Sequence, residues 1–288
     1  MNNKKIANLG YFLTFLGMLI GLVVLFYPTA SDLWNRYVNQ QLATEYKETV
    51  SKIDTSELDK LWDEAVEYNK QHTVNEVKDA FSENNTYELS HPYDLLLNPN
   101  GDNIMGYIEI PKIKVKLSIG HGAGEETLLS MAGHLEGTSL PIGGENTHSV
   151  ISAHRALPSA KLFTDLDQLK IGDKFYYHIL NRVVAYEVDD IKTVLPEEMD
   201  HIAIVKGKDY STLLTCTPYG VNSHRLLVRG KRIPYIEEKN EEKTEEITFK
   251  EQVFDLDKRI QLLVIALIFI ILFSLVKYII NKIKNKKK

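Results

Sequence analysis

Residues 212–229 read TLLTCTPYGVNSHRLLVR, and they carry the strongest indication of the fold in this sequence. Both of its ends are apolar runs of strand length, and the segment between them contains Pro218, Gly220 and Asn222, which favour a turn. The pattern predicts two strands joined by a loop. Antiparallel pairing of these strands would bring Cys216, at the end of the first, close to Arg225, at the start of the second.

Cys216 is the only cysteine in the chain, so it cannot form an internal disulfide. A single thiol is either a buried core residue or a reactive group. Its position at the end of a β run favours the reactive alternative, because a strand end holds a side chain rigidly while its tip stays reachable.

Outward from this hairpin, the sequence contains further short runs with the period of β-strands, punctuated by turn residues. Many short strands at this spacing predict a mainly β fold, a closed β-barrel with short helices. The runs span residues 106–110, 112–117, 149–152, 174–179, 183–188 and 190–194.

The segment before the barrel has a different texture. Residues 32–82 follow a helical pattern of apolar positions and are expected to serve as a packing or spacer element. Residues 83–103 form a loop that is long for a compact domain, and such loops are lids, binding loops or disordered segments. After the barrel, residues 237–259 begin with a run of glutamates and lysines and are expected to be a solvated linker.

Two segments are long and apolar enough to cross a membrane. Residues 6–31 and residues 260–276 contain no charged side chain. Lysines flank the first segment at its start and the second at its end, which predicts that both termini are cytoplasmic and that residues 32–259 are extracellular. A cleaved signal peptide is the rival interpretation of the first segment. The best cleavage site has Pro28 at the first small position, which favours an uncleaved anchor.

The composition indicates which partners and cofactors to expect. The formal net charge of −5 gives no reason to expect nucleic-acid binding, and we expect membrane lipid to contact the lysine-rich end of the chain. No cofactor is expected. Residues 197–201 hold three carboxylates and His201, but a solvated acidic turn is a simpler interpretation than a metal site.

A cysteine nucleophile needs a base and a donor for the oxyanion that forms. His154 directly follows the strand predicted at 149–152, and His224 neighbours Arg225. Other histidines, namely His134, His148 and His178, lie in or near turns. From the residues alone, a structural histidine and a surface ion pair at Arg225 remain open alternatives.

The motif TLxTC at 212–216, its continuation through Gly230 and the segment SAHR at 152–155 together resemble the class C, pilus-assembling sortases. The resemblance extends over roughly residues 104–232. It implies that Cys216 is the nucleophile, that His154 donates and accepts protons, and that Arg225 holds the oxyanion or the substrate. It also implies a substrate-binding role for Thr215.

The same resemblance implies the reaction. Such sortases cleave an LPxTG-like sorting signal between Thr and Gly and pass the acyl group, through a thioester intermediate, to a lysine amine of another pilin subunit. The partners would be pilin subunits at the cell membrane of a Gram-positive-type bacterium, and the ectodomain is expected to be monomeric.

Class C sortases also carry a lid with an Asp-Pro-aromatic motif. The loop at 90–94 reads SHPYD, so Pro92 and Tyr93 keep two positions of that motif and His91 replaces the aspartate. Tyr93 is therefore expected to cover Cys216, and His91 is expected to weaken the lid because a histidine pairs less well than an aspartate with Arg225.

These inferences divide the chain into six regions. Two alternative functions remain: a housekeeping sortase that attaches surface proteins to cell-wall peptide, and a non-catalytic surface scaffold with a buried thiol. The regions are the anchor at 1–31, the helical segment at 32–82, the lid loop at 83–103, the catalytic barrel at 104–236, the linker at 237–259 and the C-terminal membrane helix with its lysine tail at 260–288.

Overall fold

The computed structural model describes residues 3–71, 80–81 and 93–236 of this chain. The chain divides into two units, and the fold and the site described below belong to the first, Met1–Glu237. The helices are α1 (Asn3–Lys52), α2 (Thr55–Gln71) and α3 (Glu125–Leu128), with short 3-10 helices at Tyr93–Leu95, Pro111–Ile113, Leu166–Gln168 and Met199–Ile202. The strands are β1 (Ile104–Ile110), β2 (Val115–His121), β3 (Ala132–His134), β4 (Thr147–Ser152), β5 (Lys174–Ile179), β6 (Arg182–Val194), β7 (Asp209–Thr217) and β8 (His224–Ile233).

The eight strands close into a barrel in the order β1-β2-β3-β4-β7-β8-β6-β5. Most neighbours are antiparallel, but β2 with β3 and β4 with β7 are parallel. The prediction of a mainly β, closed barrel with short helices and an N-terminal helical segment is confirmed. The predicted linker at 237–259 and the C-terminal membrane helix at 260–288 lie outside the described residues.

One predicted strand begins later than its sequence pattern indicates. Alternating residues at 112–117 predict a single strand, whereas the structure has a 3-10 helix at Pro111–Ile113 and starts β2 at Val115. Proline has no backbone N–H to donate to a strand partner and suits the first position of a helical turn. Lys114 then takes a left-handed conformation, with φ 52°, which ends the turn.

The helix α1 continues past the boundary predicted at residue 31. Its part from Leu13 onward is the one helix among the described residues that is long and apolar enough to cross a membrane. Apolar side chains such as Leu25, 63 % exposed, point away from the protein along this part. From Ser31 to Lys52 the same helix packs beside the barrel, chiefly against β2.

Two apolar clusters lie on opposite faces of β7. Leu213 belongs to the large cluster that fills the core, and Leu214 belongs to a smaller one, because side chains alternate along a strand. Cys216 shares the face of Leu214. The smaller cluster also includes Ala80, with Phe81 packed against it, so it continues along the face that carries the thiol. Its other members are Ala123, Leu128, Leu135, Val150, Val194, Ile202 and Leu227.

Candidate active site

The β7–β8 hairpin brings Cys216 and Arg225 together. The two residues are direct partners in the antiparallel register, as the turn between them predicts, and both are buried. The Arg225 guanidinium donates from Nη1 to the carbonyl oxygens of Asn222, at 3.0 Å, and of His224, at 3.1 Å. The loop at the end of the hairpin thus holds the arginine beside the thiol.

His154 reaches the same end of the barrel from β4. In the parallel register of β4 and β7, Ser152 is paired with Leu214, and the ladder continues through a 3.2 Å bond from the Ala153 N–H to the Leu214 carbonyl. Two residues past that pair, His154 is level with Cys216 and on the same face of the sheet. The topology therefore brings Cys216, His154 and Arg225 to one end of three adjacent strands.

The backbone around His154 is fixed on both sides. The Phe163 N–H donates to the His154 carbonyl at 3.1 Å. On the other side, the Thr215 hydroxyl donates to the Ala153 carbonyl at 2.7 Å. Thr215 is fully buried and faces away from Cys216, because neighbouring strand residues point to opposite faces. Its hydroxyl therefore holds the segment that carries His154, and the substrate-binding role expected for Thr215 stays a prediction.

An aromatic ring lies against both polar members of this cluster. The Phe81 ring centroid is 5.2 Å from that of His154, and the Arg225 guanidinium carbon is 5.4 Å from the Phe81 centroid. The second distance is that of a cation–π contact. Phe81 thus bridges the histidine and the arginine on the face that carries Cys216.

Tyr93 occupies a different place from the one predicted. Its side chain is buried, its hydroxyl lies 2.7 Å from Nδ1 of His134, and the Gly122 N–H donates to that hydroxyl at 3.2 Å. The ring found against His154 and Arg225 is that of Phe81, whereas the ring of Tyr93 belongs to the large core cluster. Both His91 and Pro92 lie outside the described residues.

Burial lowers the pKa of His154 below its ordinary value, and the negative charge of Glu125 opposes this shift only in part. The cause is desolvation, which disfavours the charged imidazolium. At neutral pH the imidazole is therefore uncharged and able to accept a proton.

Arg155, which sequence reasoning did not single out, joins the histidine segment to the end of β7. Its Nη1 donates to the Thr217 hydroxyl at 3.0 Å and its Nη2 pairs with Asp167. The side chain is buried, and among the residues that the structure describes its Nε has no hydrogen-bond partner. Arginine is rarely buried without such partners. Its position directly after His154 was the one feature of the sequence that could have indicated a role for it near the site.

Two further buried histidines, His134 and His148, have polar contacts at both ring nitrogens. His134 is held by Tyr93 and by the Ser139 carbonyl, 2.9 Å from its Nε2. His148 is held between the Ala203 carbonyl, at 2.9 Å, and the Thr212 hydroxyl, at 2.8 Å. In the residues that the structure describes, no group of three histidine, cysteine or acidic side chains is placed to hold a metal ion.

Because His134 and His148 are buried, we expect the folded protein to lose stability in mild acid. Burial lowers the pKa of His134 and of His148 to about 4, whereas the unfolded chain takes up these protons near 6.5. The unfolded state therefore binds more protons between these values. We expect the free energy of unfolding to fall as the pH drops from about 6.5 to 4, by up to about 1.4 kcal/mol per pH unit for each histidine. Urea unfolding over this range measures the slope.

Two variants separate this effect from general acid sensitivity. His148→Gln removes one of the two titrating groups and should make the slope shallower. His201→Gln changes an exposed histidine and should leave the slope as it is. A slope that is unchanged in His148→Gln would show that this imidazole does not carry the acid sensitivity.

Comparison with known proteins identifies the family. Residues 108–233 match a family model described as the sortase domain. Sortase C of Streptococcus pneumoniae is 47% identical, with 68% of this chain and 97% of that chain covered and a TM-score of 0.62. The pilus-related sortase C of Group B Streptococcus is 42% identical, covering 67% of this chain and 97% of that chain, with a TM-score of 0.63.

A curated relative, sortase A of Streptococcus agalactiae serotype III (strain NEM316), is 32% identical over 117 residues, which are 40% of this chain and 47% of the relative. This match spans less than half of that relative's length. The solved sortase C structures, in contrast, are covered almost completely and at higher identity. The chain therefore belongs to the sortase family of cysteine transpeptidases, and within it to class C.

Proposed function

We propose that this protein polymerises pili: it cleaves LPxTG-like sorting signals of pilin subunits and joins them to a lysine amine of another pilin. The observation that carries the proposal is the meeting of Cys216, His154 and Arg225 at one end of β4, β7 and β8. Support for pilins as substrates comes from its relatives, since the S. pneumoniae structure is described in terms of pilin substrate specificity and the Group B Streptococcus enzyme as pilus-related.

In the first half of the proposed reaction, Cys216 attacks the carbonyl carbon of the scissile bond. His154, uncharged at neutral pH, takes the thiol proton. Arg225 donates hydrogen bonds to the oxyanion that forms on the carbonyl oxygen. The peptide bond then breaks, His154 gives its proton to the leaving amine, and the acyl group remains on sulfur as a thioester.

The second half reverses these roles. A lysine amine attacks the thioester carbon, His154 removes the excess proton from that nitrogen, and the carbon–sulfur bond breaks. The thiolate recovers a proton from His154 and the product contains an isopeptide bond. Because a thioester stays activated toward amines, the acyl group is not lost as long as water is kept from the site.

Arg155 supports both halves as a positioning residue. It ties the segment that carries His154 to Thr217, the neighbour of Cys216 in sequence. Reacting groups must be held within a fraction of an ångström, and buried hydrogen bonds between their segments provide this.

The test of the proposed function is a reaction with the full-length protein in detergent, a peptide that contains an LPxTG-like signal and a peptide that offers a lysine amine. We expect a thioester on Cys216 with the first peptide alone and an isopeptide-linked product when the second is added. Mass spectrometry detects both species. Cleavage without an acyl-enzyme on Cys216 would contradict the mechanism.

Phe81 is proposed to restrict access to the resting site. Its ring lies against His154 and Arg225, and it packs against the apolar cluster on the face of the sheet that carries Cys216. Phe81→Ala should therefore increase the rate of Cys216 labelling by a thiol reagent several-fold. The same change should move the pKa of His154 back toward its ordinary value, because burial is the main cause of its shift.

Tyr93→Phe is the matched control for this experiment. It removes the hydroxyl that bonds to His134 and keeps the ring, so it should cost about 1 kcal/mol of stability and leave the labelling rate unchanged. If Phe81→Ala labels no faster than the wild type, the phenylalanine does not guard the site.

The protein is proposed to be anchored by two membrane helices, with both termini in the cytoplasm and the barrel outside. Support comes from the exposed apolar part of α1 and from the lysines at both ends of the sequence. Protease added to intact protoplasts should digest residues 32–259 and spare epitope tags at both termini. Digestion of either tag would refute this topology.

A further inference from the structure

The helix that leaves the membrane does not stop at its surface. The charge-free part of the sequence ends at Ser31, and α1 continues to Lys52. A helix rises about 1.5 Å per residue, so residues 31–34 stand within about 10 Å of the end of the apolar part at Pro28. This is the height of the lipid headgroups and of the water next to them.

The barrel is attached to α1 at this height. The backbone N–H of Lys161 donates to the Asp32 carboxylate at 2.7 Å, and the Ser31 hydroxyl lies 3.2 Å from the Pro158 carbonyl. The first residues of the helix beyond its apolar part therefore hold the turn at 158–161.

Further bonds along α1 prevent the barrel from swinging about this first contact. Asn39 donates to the Ser130 carbonyl at 2.8 Å and accepts from the Ser118 N–H at 3.0 Å. Tyr46 donates to the Met105 carbonyl at 2.7 Å. These contacts cover about four turns of one continuous helix, so the helix fixes the orientation of the barrel as well as its height.

We propose that the turn at 158–161 and the adjacent part of α1 around Trp34 form a membrane-facing surface that lies against the headgroups of the outer leaflet. Trp34 is 65 % exposed, and exposed tryptophans favour the boundary between bilayer and water. Lys161 adds an exposed ammonium group, which is paired with Asp165 at 3.6 Å and can exchange this surface ion pair for anionic lipid. This inference rests on the proposed membrane anchor.

The proposed surface determines where the enzyme meets its substrate. His154 lies four residues before Pro158 in the same segment, which spans at most about 14 Å. The active site is therefore held close to the bilayer. A substrate that is anchored in the same membrane would meet this site at the same height, and tethering both molecules in this way raises their effective concentration.

Fluorescence quenching tests the orientation. Because Cys216 is the only cysteine, a Cys216→Ala background allows single labelling sites at Ser159→Cys, in the turn, and Asn181→Cys, in the exposed turn between β5 and β6. Asn181 is next to Leu180, whose backbone N–H donates to the Tyr46 hydroxyl. Tyr46 lies about 22 Å further along α1 than Ser31, so a probe at 181 is expected to lie farther from the membrane than a probe at 159. In vesicles of phosphatidylcholine and phosphatidylglycerol with spin-labelled headgroups, the probe at 159 should be quenched at least about threefold more strongly than the probe at 181.

A second variant tests the helix as the cause. A six-residue Gly-Ser insert between Thr29 and Ala30 leaves the contacts of residues 31–46 intact but uncouples them from the membrane part. It should bring quenching at 159 down toward that at 181. In an active Cys216 background it should preserve cleavage of a free peptide and reduce cleavage of a membrane-tethered substrate.

The possible outcomes distinguish a failure of this inference from a failure of the proposed membrane anchor or of the proposed reaction. Failure of the full-length protein to float with vesicles would overturn the anchor and this inference together. Flotation with equal quenching at 159 and 181 would overturn only the membrane-facing surface. If the wild-type protein does not cleave a free peptide, this result would instead contradict the proposed transpeptidase reaction.

Discussion

Replacing Cys216 with alanine should abolish both cleavage and transfer and leave the fold intact. The thiol is the proposed attacking atom, and no other cysteine in the chain can take its place. We expect activity to fall by at least about 10³-fold, since removal of a nucleophile forces the reaction to proceed without its covalent intermediate. The lost sulfur should cost little stability, about 1 kcal/mol, because it is one small atom.

The measurement is the yield of cleaved and ligated peptide, followed together with the thermal midpoint of the variant. His201→Gln serves as a control, because it changes an exposed residue that the mechanism does not use. A Cys216→Ala protein that still forms the thioester-dependent product would remove the basis of the proposed mechanism.

Arg225→Lys should lose nearly as much activity as Arg225→Ala, at least about 10²-fold in kcat. The guanidinium is planar and presents its N–H groups in a fixed fork, in which Nη1 is bonded to two backbone carbonyls. Lysine keeps the charge but offers a single rotating ammonium. A lysine ammonium at this position cannot donate hydrogen bonds to the Asn222 and His224 carbonyls and to an oxyanion in the geometry of the guanidinium.

Arg229→Lys is the matched control, since Arg229 lies on the same face of β8 four residues away. There it forms a bidentate pair with Asp189, at 2.9 and 3.0 Å. This change should lower the free energy of unfolding and leave kcat near its wild-type value. Near-normal kcat in Arg225→Lys would show that the position needs only a positive charge.

How far the sequence predicts the structure depends on the range of the interactions. The β7–β8 hairpin could be predicted because its turn residues and its apolar runs are neighbours in sequence, and pairing Cys216 with Arg225 follows from them. The 3-10 turn at Pro111–Ile113 that delays the start of β2 also depends on neighbouring residues. The alternating pattern at 112–117 nevertheless favoured a strand and concealed the effect of Pro111. Periodicity reports which side chains share a face and says less about where a strand begins.

The barrel class and the apolar N-terminal helix follow from local sequence patterns, and the resemblance to a known family adds the three polar residues for which catalytic roles are proposed. The residues that surround these three are set by long-range packing. Phe81 lies more than 70 residues before His154 in sequence, and Tyr93 differs from it in no local pattern that would assign one ring to the site and the other to the core. Thr215 and Arg155 likewise acquire their positioning contacts from the parallel pairing of β4 with β7. Such contacts join residues that are distant in the chain, so they depend on the closure of the whole barrel and leave no periodic trace in the sequence.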